Sequence, residues 1–384
     1  MARCLFVEPF YGGSHRSFTE GLVRHSRHEF ALLTQPGSEW RKRMRKGAVE
    51  LAAEAEYVPG EFDLVIASDM LDLPVFLALT RPRFDRTPVL LYFHENQFTY
   101  PRIRGTKFNS WFGQVNYLSA LAADGVAFNS AFHRDEFLGA LRQITGEPNN
   151  WLVDDAVETI AGKSRVLPVG VELDWIDELA PGDPTDRGAV LLWNHRWEFD
   201  KAPQVFARVL QALAEEAIDF EVNVAGEPGD NPHPALTGLP ESLPGRLRHH
   251  GYAKSRDAYG QLLWDSRIVV STTRHEFFGI STVEALYAGC LPVAPHGFTY
   301  PELVPPELHE RCLYTSKHDL RMKLRAELTG EAGSVPVEAL RASAARFGWR
   351  QVAPQWDAAI EAFASEGPAP GRAGGSVEWQ ATYN

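Results

Sequence analysis

Short runs of apolar and β-branched residues alternate along the chain with longer segments that have the period of a helix. In the first half, the runs that predict strands are residues 4–8, 30–33, 64–67, 89–93, 126–129 and 166–169. The segments between them that predict helices are residues 18–24, 40–55, 111–122 and 132–141. Strands that alternate with helices in this way are typical of βαβ units and a parallel sheet.

The same alternation starts again near residue 170. Strands are predicted at residues 190–193, 220–224, 247–250, 268–271 and 291–294, and helices at 202–217, 256–265, 282–288 and about 349–364. A chain of 384 residues is also too long for one ordinary core. We therefore predict an α/β protein with two Rossmann-like domains that face each other across a cleft, with ligands near the carboxyl ends of the strands.

Composition sets the expected domain limits and narrows the class of protein. The first domain is expected over residues 1–170, the second over 171–348 and a last helix over 349–366, with a linker at 181–184 and a disordered Gly- and Pro-rich tail at 367–384. No apolar run reaches the roughly 18 residues of a membrane span, and the N-terminus lacks a signal-peptide pattern. Three scattered cysteines predict neither disulfides nor a zinc site. We expect a protein of the reducing cytoplasm.

Charge is distributed unevenly between the two predicted domains. The formal net charge is −12, but residues 1–170 carry 19 Lys and Arg against 20 Asp and Glu, whereas the remainder carries 19 against 30. This acidity argues against general coating of nucleic acid. The nearly neutral N-terminal half still tolerates a polyanionic partner that the C-terminal half would repel.

The strongest chemical motif lies at residues 274–286 (RHEFFGISTVEAL), which follow a predicted strand and open a helix. The free N–H groups and positive dipole of a helix N-terminus suit a phosphate, and Gly279 permits a ligand to approach closely. Glu276 is expected in the loop, where it meets a sugar, and Glu284 one turn into the helix, where it holds a ribose hydroxyl. The alternative is an ordinary strand–helix turn with acidic residues.

A second candidate loop, residues 193–203 (WNHRWEFDKAP), follows the first strand of the second domain. Arg196 and Lys201 are a suitable pair of cations for a diphosphate. The alternative is a solvated loop whose cations pair with Glu198 and Asp200. Two anion-suited loops at adjacent strand ends of one domain favour the functional interpretation.

The first domain contributes two polar loops, each after a strand. Residues 10–15 (FYGGSH) place Gly12 and Gly13 in a tight turn, but they lack the third glycine of a dinucleotide fingerprint. Residues 92–101 (YFHENQFTYP) are dense in polar groups, and His94 stands where a cleft residue is expected; a satisfied structural histidine is the alternative. The chain contains no Asp-x-Asp motif for a metal–diphosphate bridge, so we predict metal-independent catalysis.

One dense basic run occupies residues 41–46, and Arg102, Arg104 and Lys107 form a sparser group. Such runs are usually solvated helix faces. The alternative is contact with the phosphates of a nucleic-acid acceptor, which positions the acceptor without reading its sequence.

Taken in order, these motifs resemble a known pattern. The Glu276–Glu284 spacing, the Arg196–Lys201 pair and residues 167–171 (LPVGV) are similar to the retaining GT-B glycosyltransferases of the glycogen-synthase-like, mannosyltransferase-rich family. More narrowly, EPFYGGSH, YFHENQ, FNS, HRWE and HEFFG at residues 8–15, 92–97, 128–130, 195–198 and 275–279 resemble the tRNA-queuosine α-mannosyltransferase family. The resemblance covers roughly residues 3–350.

The resemblance implies transfer of mannose, with retention, from the co-substrate GDP-mannose to queuosine in the anticodon of tRNA-Asp, without a further cofactor. It implies that His94 and Glu276 are catalytic. The implied donor site consists of Gly12, Gly13, Arg196, Lys201, Glu276, Phe277, Phe278, Gly279 and Glu284. The acceptor candidates are His15, Arg41, Lys42, Arg43, Arg45, Lys46, Glu95, Asn96 and Gln97.

Two other classes of function stay open at this point. One is a GT-B glycosyltransferase for a lipid, polysaccharide or small metabolite, although the chain lacks a cationic amphipathic helix with a broad apolar face. The other is a non-catalytic nucleotide- or tRNA-binding module, which would not need both donor loops. For the reaction we favour front-face attack, in which the departing phosphate helps to deprotonate the acceptor, over double displacement.

Overall fold

The computed structural model describes residues 1–101, 110–147, 150–181, 187–229 and 232–367. The sparser basic group of Arg102, Arg104 and Lys107 lies outside these ranges, as do most of the predicted linker at 181–184 and the tail from residue 368 onward. Among the helices within these ranges, none combines the length and the apolarity needed to cross a membrane.

The first unit is a six-stranded parallel sheet with helices packed on it. Its strands are β1 (Arg3–Tyr11), β2 (Glu29–Pro36), β3 (Leu64–Ser68), β4 (Val89–Phe93), β5 (Gly125–Phe128) and β6 (Ser164–Val166). Its helices are α1 (Gly13–His25), α2 (Trp40–Ala55), α3 (Leu73–Leu79), α4 (Ser110–Ala122), α5 (Ala131–Thr145) and α6 (Ala156–Gly162). The strand order β2-β1-β3-β4-β5-β6 places the loops after β1, β3 and β4 side by side at the carboxyl edge.

The second unit repeats this architecture. After α7 (Asp174–Glu178), its strands are β7 (Val190–Asn194), β8 (Glu221–Ala225), β9 (Leu247–Gly251), β10 (Ile268–Val270), β11 (Leu291–Pro295) and β12 (Leu313–Tyr314). Its further helices are α8 (Pro203–Glu215), α9 (Pro234–Thr237), α10 (Leu239–Ser242), α11 (Arg256–Asp265), α12 (Ile280–Tyr287), α13 (Tyr300–Leu303), α14 (His309–Cys312), α15 (Lys317–Leu328) and α16 (Val337–Ala345). The order β12-β11-β10-β7-β8-β9 makes β7 and β10 neighbours.

The inner strands explain why the apolar runs predict the sheet well. Every residue of β3, β4, β5 and β7 is buried, as in a parallel sheet that is covered on both faces. All predicted strands are present, with ends shifted by at most three residues.

The predicted strand at 166–169 is wrong over its last three residues. The strand is β6, which ends at Val166, and Leu167 N–H gives a further bond to Phe128 O at 2.9 Å. Pro168 has no N–H to continue the ladder. β6 is also an edge strand with partly exposed side chains, so its own apolar signal is weak.

The last helix, α17 (Trp349–Glu366), returns to the first unit. Its buried Trp349 and Trp356 lie against Phe18 of α1, at centroid distances of 6.0 Å and 5.2 Å. Trp356 Nε1–H also donates to Pro168 O at 3.1 Å. The helix that follows the second unit in sequence therefore packs into the core of the first.

Candidate active site

A cluster of buried titratable side chains lies at the carboxyl ends of β1 and β4. Oε2 of Glu8 is 3.0 Å from Nδ1 of His15 on α1. The other oxygen of Glu8 accepts hydrogen bonds from Phe10 N–H at 2.8 Å and Ser68 Oγ–H at 2.9 Å. The ring of His94, directly after β4, lies against that of His15 with 4.1 Å between centroids. The structure therefore brings the predicted catalytic His94 and the acceptor candidate His15 into direct contact.

The two imidazoles have opposite electrostatic environments. Burial alone would lower the pKa of His15, but the Glu8 carboxylate, helped by Asp69, outweighs it and raises that pKa to about 9. Burial, followed by the nearby charge of His15, lowers the pKa of His94 well below its usual value. At neutral pH, His15 is therefore a cation and His94 a neutral imidazole beside it.

Asp69, directly after β3, belongs to the same cluster but is not among the residues singled out from the sequence. Its Oδ1 accepts a hydrogen bond from His94 N–H at 2.8 Å, and its backbone O accepts one from Asn116 Nδ2–H at 2.9 Å. Its Oδ2 has no partner among the described residues. Burial raises its pKa well above the usual value, against the lowering effect of the His15 charge. A polar residue at the end of a buried strand is the signal that marks His94, and the same rule applied to β3 finds Asp69.

Within the described ranges, Glu8, His15 and His94 are also the group whose ligand atoms come close enough for a metal ion, within 4.8 Å of one another. The hydrogen bond between Glu8 Oε2 and His15 Nδ1 already engages one ligand-type atom of each of these two residues. A proton on His15 then carries the positive charge that a metal would supply. Metal-independent catalysis stays a prediction.

The second unit presents an ion-pair network between its two candidate loops. Lys201 Nζ lies 3.1 Å from Glu276 Oε2 and 3.3 Å from Asp200 Oδ2. Burial would lower the pKa of Lys201, but these two carboxylates outweigh it and raise that pKa. The loops follow β7 and β10, so they lie at neighbouring strand ends, as expected from the sequence. Lys201 therefore pairs both within its own loop and across to the Glu276 loop.

Backbone contacts hold these two loops together. Arg274 N–H donates to Asp200 O at 2.7 Å, and Thr272 Oγ1–H donates to Lys201 O at 2.8 Å. The position of Lys201 relative to Glu276 is therefore fixed by the main chain as well as by charge.

The N-terminus of α12 has the geometry of an anion site. Gly279 precedes the helix with a φ of +88°, in the left-handed region that favours glycine. No side chain caps this end, and no described residue accepts a hydrogen bond from the N–H groups of Ile280 and Ser281. Phe277 and Phe278 are buried, so they offer a ligand their backbone rather than their rings.

Glu284 lies one turn inside α12 and faces a hydrogen-bond chain. Tyr259 Oη–H donates to Glu284 Oε2 at 2.9 Å, and Asn194 Nδ2–H donates to Tyr259 Oη at 3.0 Å. Burial raises the pKa of Glu284 to about 7, against the lowering effects of Tyr259 and Arg256. Asn194 belongs to the candidate loop at 193–203, whereas Tyr259 lies on α11 and no local pattern marks it.

A cavity of about 470 Å³ joins Glu284 to Arg196 and is lined by the loops after β7, β8 and β9. The Arg196 side chain is 61% exposed and pairs with Glu198 at 3.1 Å. Its charge also acts on Glu95 and Tyr100 of the first unit. Arg196 therefore lines this cavity and also acts electrostatically on the first unit.

The glycines after β1 differ in what they permit. A Cβ on Gly12 would lie 2.8 Å from Gly37 Cα, so this glycine lets the loops after β1 and β2 cross. Gly13 has a φ of +53° and open space around it. The packing at Gly12 accounts for that glycine without a ligand, and the donor role of both residues stays a prediction.

All three acceptor candidates of the loop after β4 make hydrogen bonds within that loop. Asn96 Oδ1 accepts hydrogen bonds from Phe98 N–H and Thr99 N–H, each at 3.1 Å. Gln97 Nε2–H donates to Glu95 Oε1 at 2.9 Å. Asn96 therefore shapes the loop, and Glu95 is the member whose charge reaches both His15 and Arg196.

The basic run lies on α2, beside the buried cluster. Its exposed cations are Arg41, Lys42, Arg45 and Lys46, and Arg43 is partly covered. On the inner face, Met44 packs in a small apolar cluster with Met70, the residue that follows Asp69. The Arg45 guanidinium lies 5.5 Å from the centroid of the Trp111 ring. This rim of the site therefore combines cations with aromatic rings.

Comparison with known proteins places this geometry in a family. Residues 3–171 match the family model described as tRNA-queuosine alpha-mannosyltransferase N-terminal. The chain is 33% identical over 330 residues to the tRNA-queuosine alpha-mannosyltransferase of Drosophila melanogaster, which covers 83% of this chain and 85% of that relative. The chain belongs to the tRNA-queuosine alpha-mannosyltransferase family.

A more distant relative and two solved structures complete the comparison. The chain is 24% identical over 286 residues to the GDP-mannose:cellobiosyl-diphosphopolyprenol alpha-mannosyltransferase of Xanthomonas oryzae pv. oryzae (strain PXO99A), covering 72% of this chain and 67% of the relative. The sucrose-phosphate synthase from Thermosynechococcus elongatus superposes with a TM-score of 0.71 at 14% identity, over 95% of this chain and 100% of that one. Anabaena HepE, solved with UDP and glucose, superposes with a TM-score of 0.64 at 16% identity, over 94% of this chain and 100% of that one. These structures show the GT-B fold that the sequence predicts.

Membership of the tRNA-queuosine alpha-mannosyltransferase family makes the chain a glycosyltransferase. The geometry suits that chemistry in each unit. The second unit supplies the buried ammonium of Lys201, the free amides at the N-terminus of α12 and the carboxylate of Glu284 beside the cavity. The first unit supplies the neutral imidazole of His94, the cationic imidazole of His15 and the basic, aromatic rim along α2.

Proposed function

We propose that the protein transfers mannose from GDP-mannose, with retention, to queuosine in the anticodon of tRNA-Asp. The observation that carries the proposal is the pair of loops holding Lys201, Glu276 and Glu284 in a chain of this family. We place the reaction in the cytoplasm, because that is where a tRNA acceptor is expected.

The donor is proposed to lie along the second unit. Its ribose would meet Glu284, which lines the same 470 Å³ cavity as Arg196. Its diphosphate would meet Arg196, Lys201 and the amides of Ile280 and Ser281. As the anomeric bond breaks, negative charge grows on the leaving diphosphate, and preset cations and amide dipoles stabilise it without reorganising.

Lys201 has to change partners for this role. In the structure its ammonium is neutralised by Glu276 and Asp200. A diphosphate brings enough negative charge to share Lys201, and this frees Glu276 to accept hydrogen bonds from the sugar hydroxyls. Donor binding and sugar positioning are therefore coupled through one ammonium group.

His94 is proposed to face the transferred sugar. Its low pKa keeps it neutral, so it does not repel the positive charge that develops at the anomeric carbon in an oxocarbenium-like transition state. The His15 cation behind it is balanced by Glu8. We propose front-face attack, in which the departing phosphate takes the proton of the acceptor hydroxyl.

The acceptor is proposed to approach along α2. The first turn of this helix contains no acidic residue, and Glu39 before it gives no side-chain cap but pairs with Lys42 Nζ at 3.0 Å. Cations at a helix N-terminus are unfavourable beside the positive end of the dipole, and the phosphates of an RNA would relieve this. Trp111 beside Arg45 adds a ring of the kind on which unpaired bases stack.

A donor screen tests this function. The protein is incubated with queuosine-bearing tRNA and, separately, GDP-mannose, GDP-glucose, UDP-glucose or UDP-galactose, and the nucleosides are analysed by mass. We expect a hexose on queuosine only with GDP-mannose. Transfer from a UDP-sugar alone would refute the donor assignment, and transfer to an added polyprenyl diphosphate acceptor but not to the tRNA would refute the acceptor assignment.

A further inference from the structure

The turn between β5 and α5 joins the first unit to the Glu276 loop of the second. Ser130 caps α5 by accepting a hydrogen bond from His133 N–H at 3.0 Å, and its own Oγ–H donates to Phe277 O at 2.6 Å. Glu302 of α13 accepts hydrogen bonds from Ala131 N–H at 3.0 Å and from Phe132 N–H at 2.6 Å. The first turn of α5 is therefore completed by groups of the second unit.

Asn129, the residue before this cap, connects it to His94. Its Nδ2–H donates to His94 O at 2.9 Å. Its Oδ1 accepts from Nδ1 of His133 at 2.9 Å. The ring of His133 lies against that of Phe277, with 4.0 Å between centroids. A continuous set of contacts thus runs from His94 through Asn129 and His133 to the residue next to Glu276.

The hydrogen bonds fix the amide orientation of Asn129 and the tautomer of His133. Asn129 must present its amide N–H to a carbonyl, so its oxygen faces His133, and Nδ1 of His133 must carry the proton. Burial lowers the pKa of His133 well below its usual value, so the ring stays neutral. Both polar groups of the Asn129 amide are hydrogen-bonded, and buried hydrogen bonds of this kind restrict the groups they connect.

We propose that Asn129 is a positioning residue that sets the register of His94 against the Glu276 loop. The inference rests on the proposed function and deepens it. His94 and Glu276 belong to different units, and no strand pairing connects the loops that carry them. Asn129 connects these loops through one hydrogen bond to the main chain of His94 and one to the ring of His133, which packs on Phe277.

The expected effect is on turnover rather than on donor affinity. Arg196, Lys201 and Glu284 lie in the second unit and do not contact Asn129, so the KM for GDP-mannose is expected to stay within about twofold. A shift of roughly 1 Å between reacting groups can lower a rate about 100-fold. We therefore expect Asn129→Ala to lower kcat by about 10- to 100-fold.

The test compares Asn129→Ala with two further variants. His133→Phe keeps a ring against Phe277 but removes the N–H that Asn129 accepts, and we expect a similar fall in kcat. Asn223→Ala is the matched control, because Asn223 is equally buried and donates to Ser266 Oγ at 3.1 Å within the second sheet, away from this turn. An Asn129→Ala enzyme with the kcat of the wild type would overturn the proposal. So would an equal loss of kcat in Asn223→Ala.

A second measurement separates this proposal from the proposed function. Absence of mannose transfer by the wild type would refute the function itself. The coupling is then judged from hydrogen exchange with GDP as the probe. GDP should slow exchange at residues 93–97 in the wild type but not in Asn129→Ala. Equal protection in both proteins would overturn the positioning role.

Discussion

Lys201 Nζ lies 3.1 Å from Glu276 Oε2, so the cation of one loop is held by the carboxylate of the next before any donor binds. Burial of both side chains, 12% and 18% exposed, keeps this pair out of bulk solvent. The pair keeps an ammonium group at the position where a diphosphate is proposed to bind, and it holds the Glu276 loop in place.

Removal of this cation should weaken the transition state strongly. Lys201→Met keeps the length of the side chain but leaves Glu276 and Asp200 without their counter-charge. We expect kcat/KM for GDP-mannose to fall about 100-fold or more in steady-state assays. Lys163→Met is the control, because Lys163 binds the carbonyls of Leu121 and Ala123 in the first unit. An unchanged kcat/KM in Lys201→Met would remove Lys201 from the donor site.

Donor affinity should depend on pH through Glu284. Burial raises its pKa to about 7, so the carboxyl is charged above this value and increasingly protonated below it. The charged form accepts hydrogen bonds from the ribose hydroxyls more strongly than the protonated form, so the KM for GDP-mannose should rise as pH falls from 8 to 6. Glu284→Gln should have a raised KM that no longer changes over this range. A KM in the wild type that is flat with pH would contradict the assignment.

The His15–Glu8 pair should stabilise the fold over a defined pH window. A histidine whose pKa is raised on folding contributes fully below its unfolded pKa of about 6.5, and the contribution is lost as pH rises through the folded value. For His15 that value is about 9. Urea unfolding of wild type and His15→Gln should therefore differ by on the order of 3 kcal/mol at pH 6 and by much less at pH 10. A difference that is constant with pH would show that packing, not charge, is responsible.

The basic face of α2 should contribute to tRNA binding but not to donor binding. Charge reversal at Arg41 and Lys46, both exposed, should weaken binding at all salt concentrations and lower the slope of log Kd against log salt by about 1 for each lost phosphate contact. The KM for GDP-mannose should not change. The matched control reverses two exposed cations of the second unit, Arg208 and Lys317. Equal weakening in the control pair would indicate a general charge effect instead of a docking face.

The sequence predicts the parts of this site that lie at strand ends and fails for those that depend on tertiary contacts between distant segments. Buried strands carry a strong apolar signal, so the polar residues at their ends, His94, Arg196 and Glu276, can be found directly. Tyr259 reaches Glu284 from a neighbouring helix, and its role is set by tertiary packing alone.

The contacts between the two units are likewise not evident from any local sequence pattern. The FNS motif at 128–130 carries part of the family resemblance, yet its function follows only from the hydrogen bonds that Asn129 and Ser130 make in opposite directions. Asp69 is an intermediate case. It stands at a strand end like His94, and the predicted strand at 64–67 ends almost where β3 does, but a single acidic residue in an otherwise apolar stretch gives no chemical motif.

The most direct test of the central claim is mannose transfer to two matched tRNAs. The wild-type protein is incubated with GDP-mannose and tRNA-Asp that carries either queuosine or guanosine at the wobble position, and the nucleosides are separated by mass and treated with an α-mannosidase. We predict a mannosylated queuosine that the α-mannosidase cleaves, and no product from the guanosine form. Product on both tRNAs, on neither, or in a form that resists the α-mannosidase would contradict retaining transfer to queuosine.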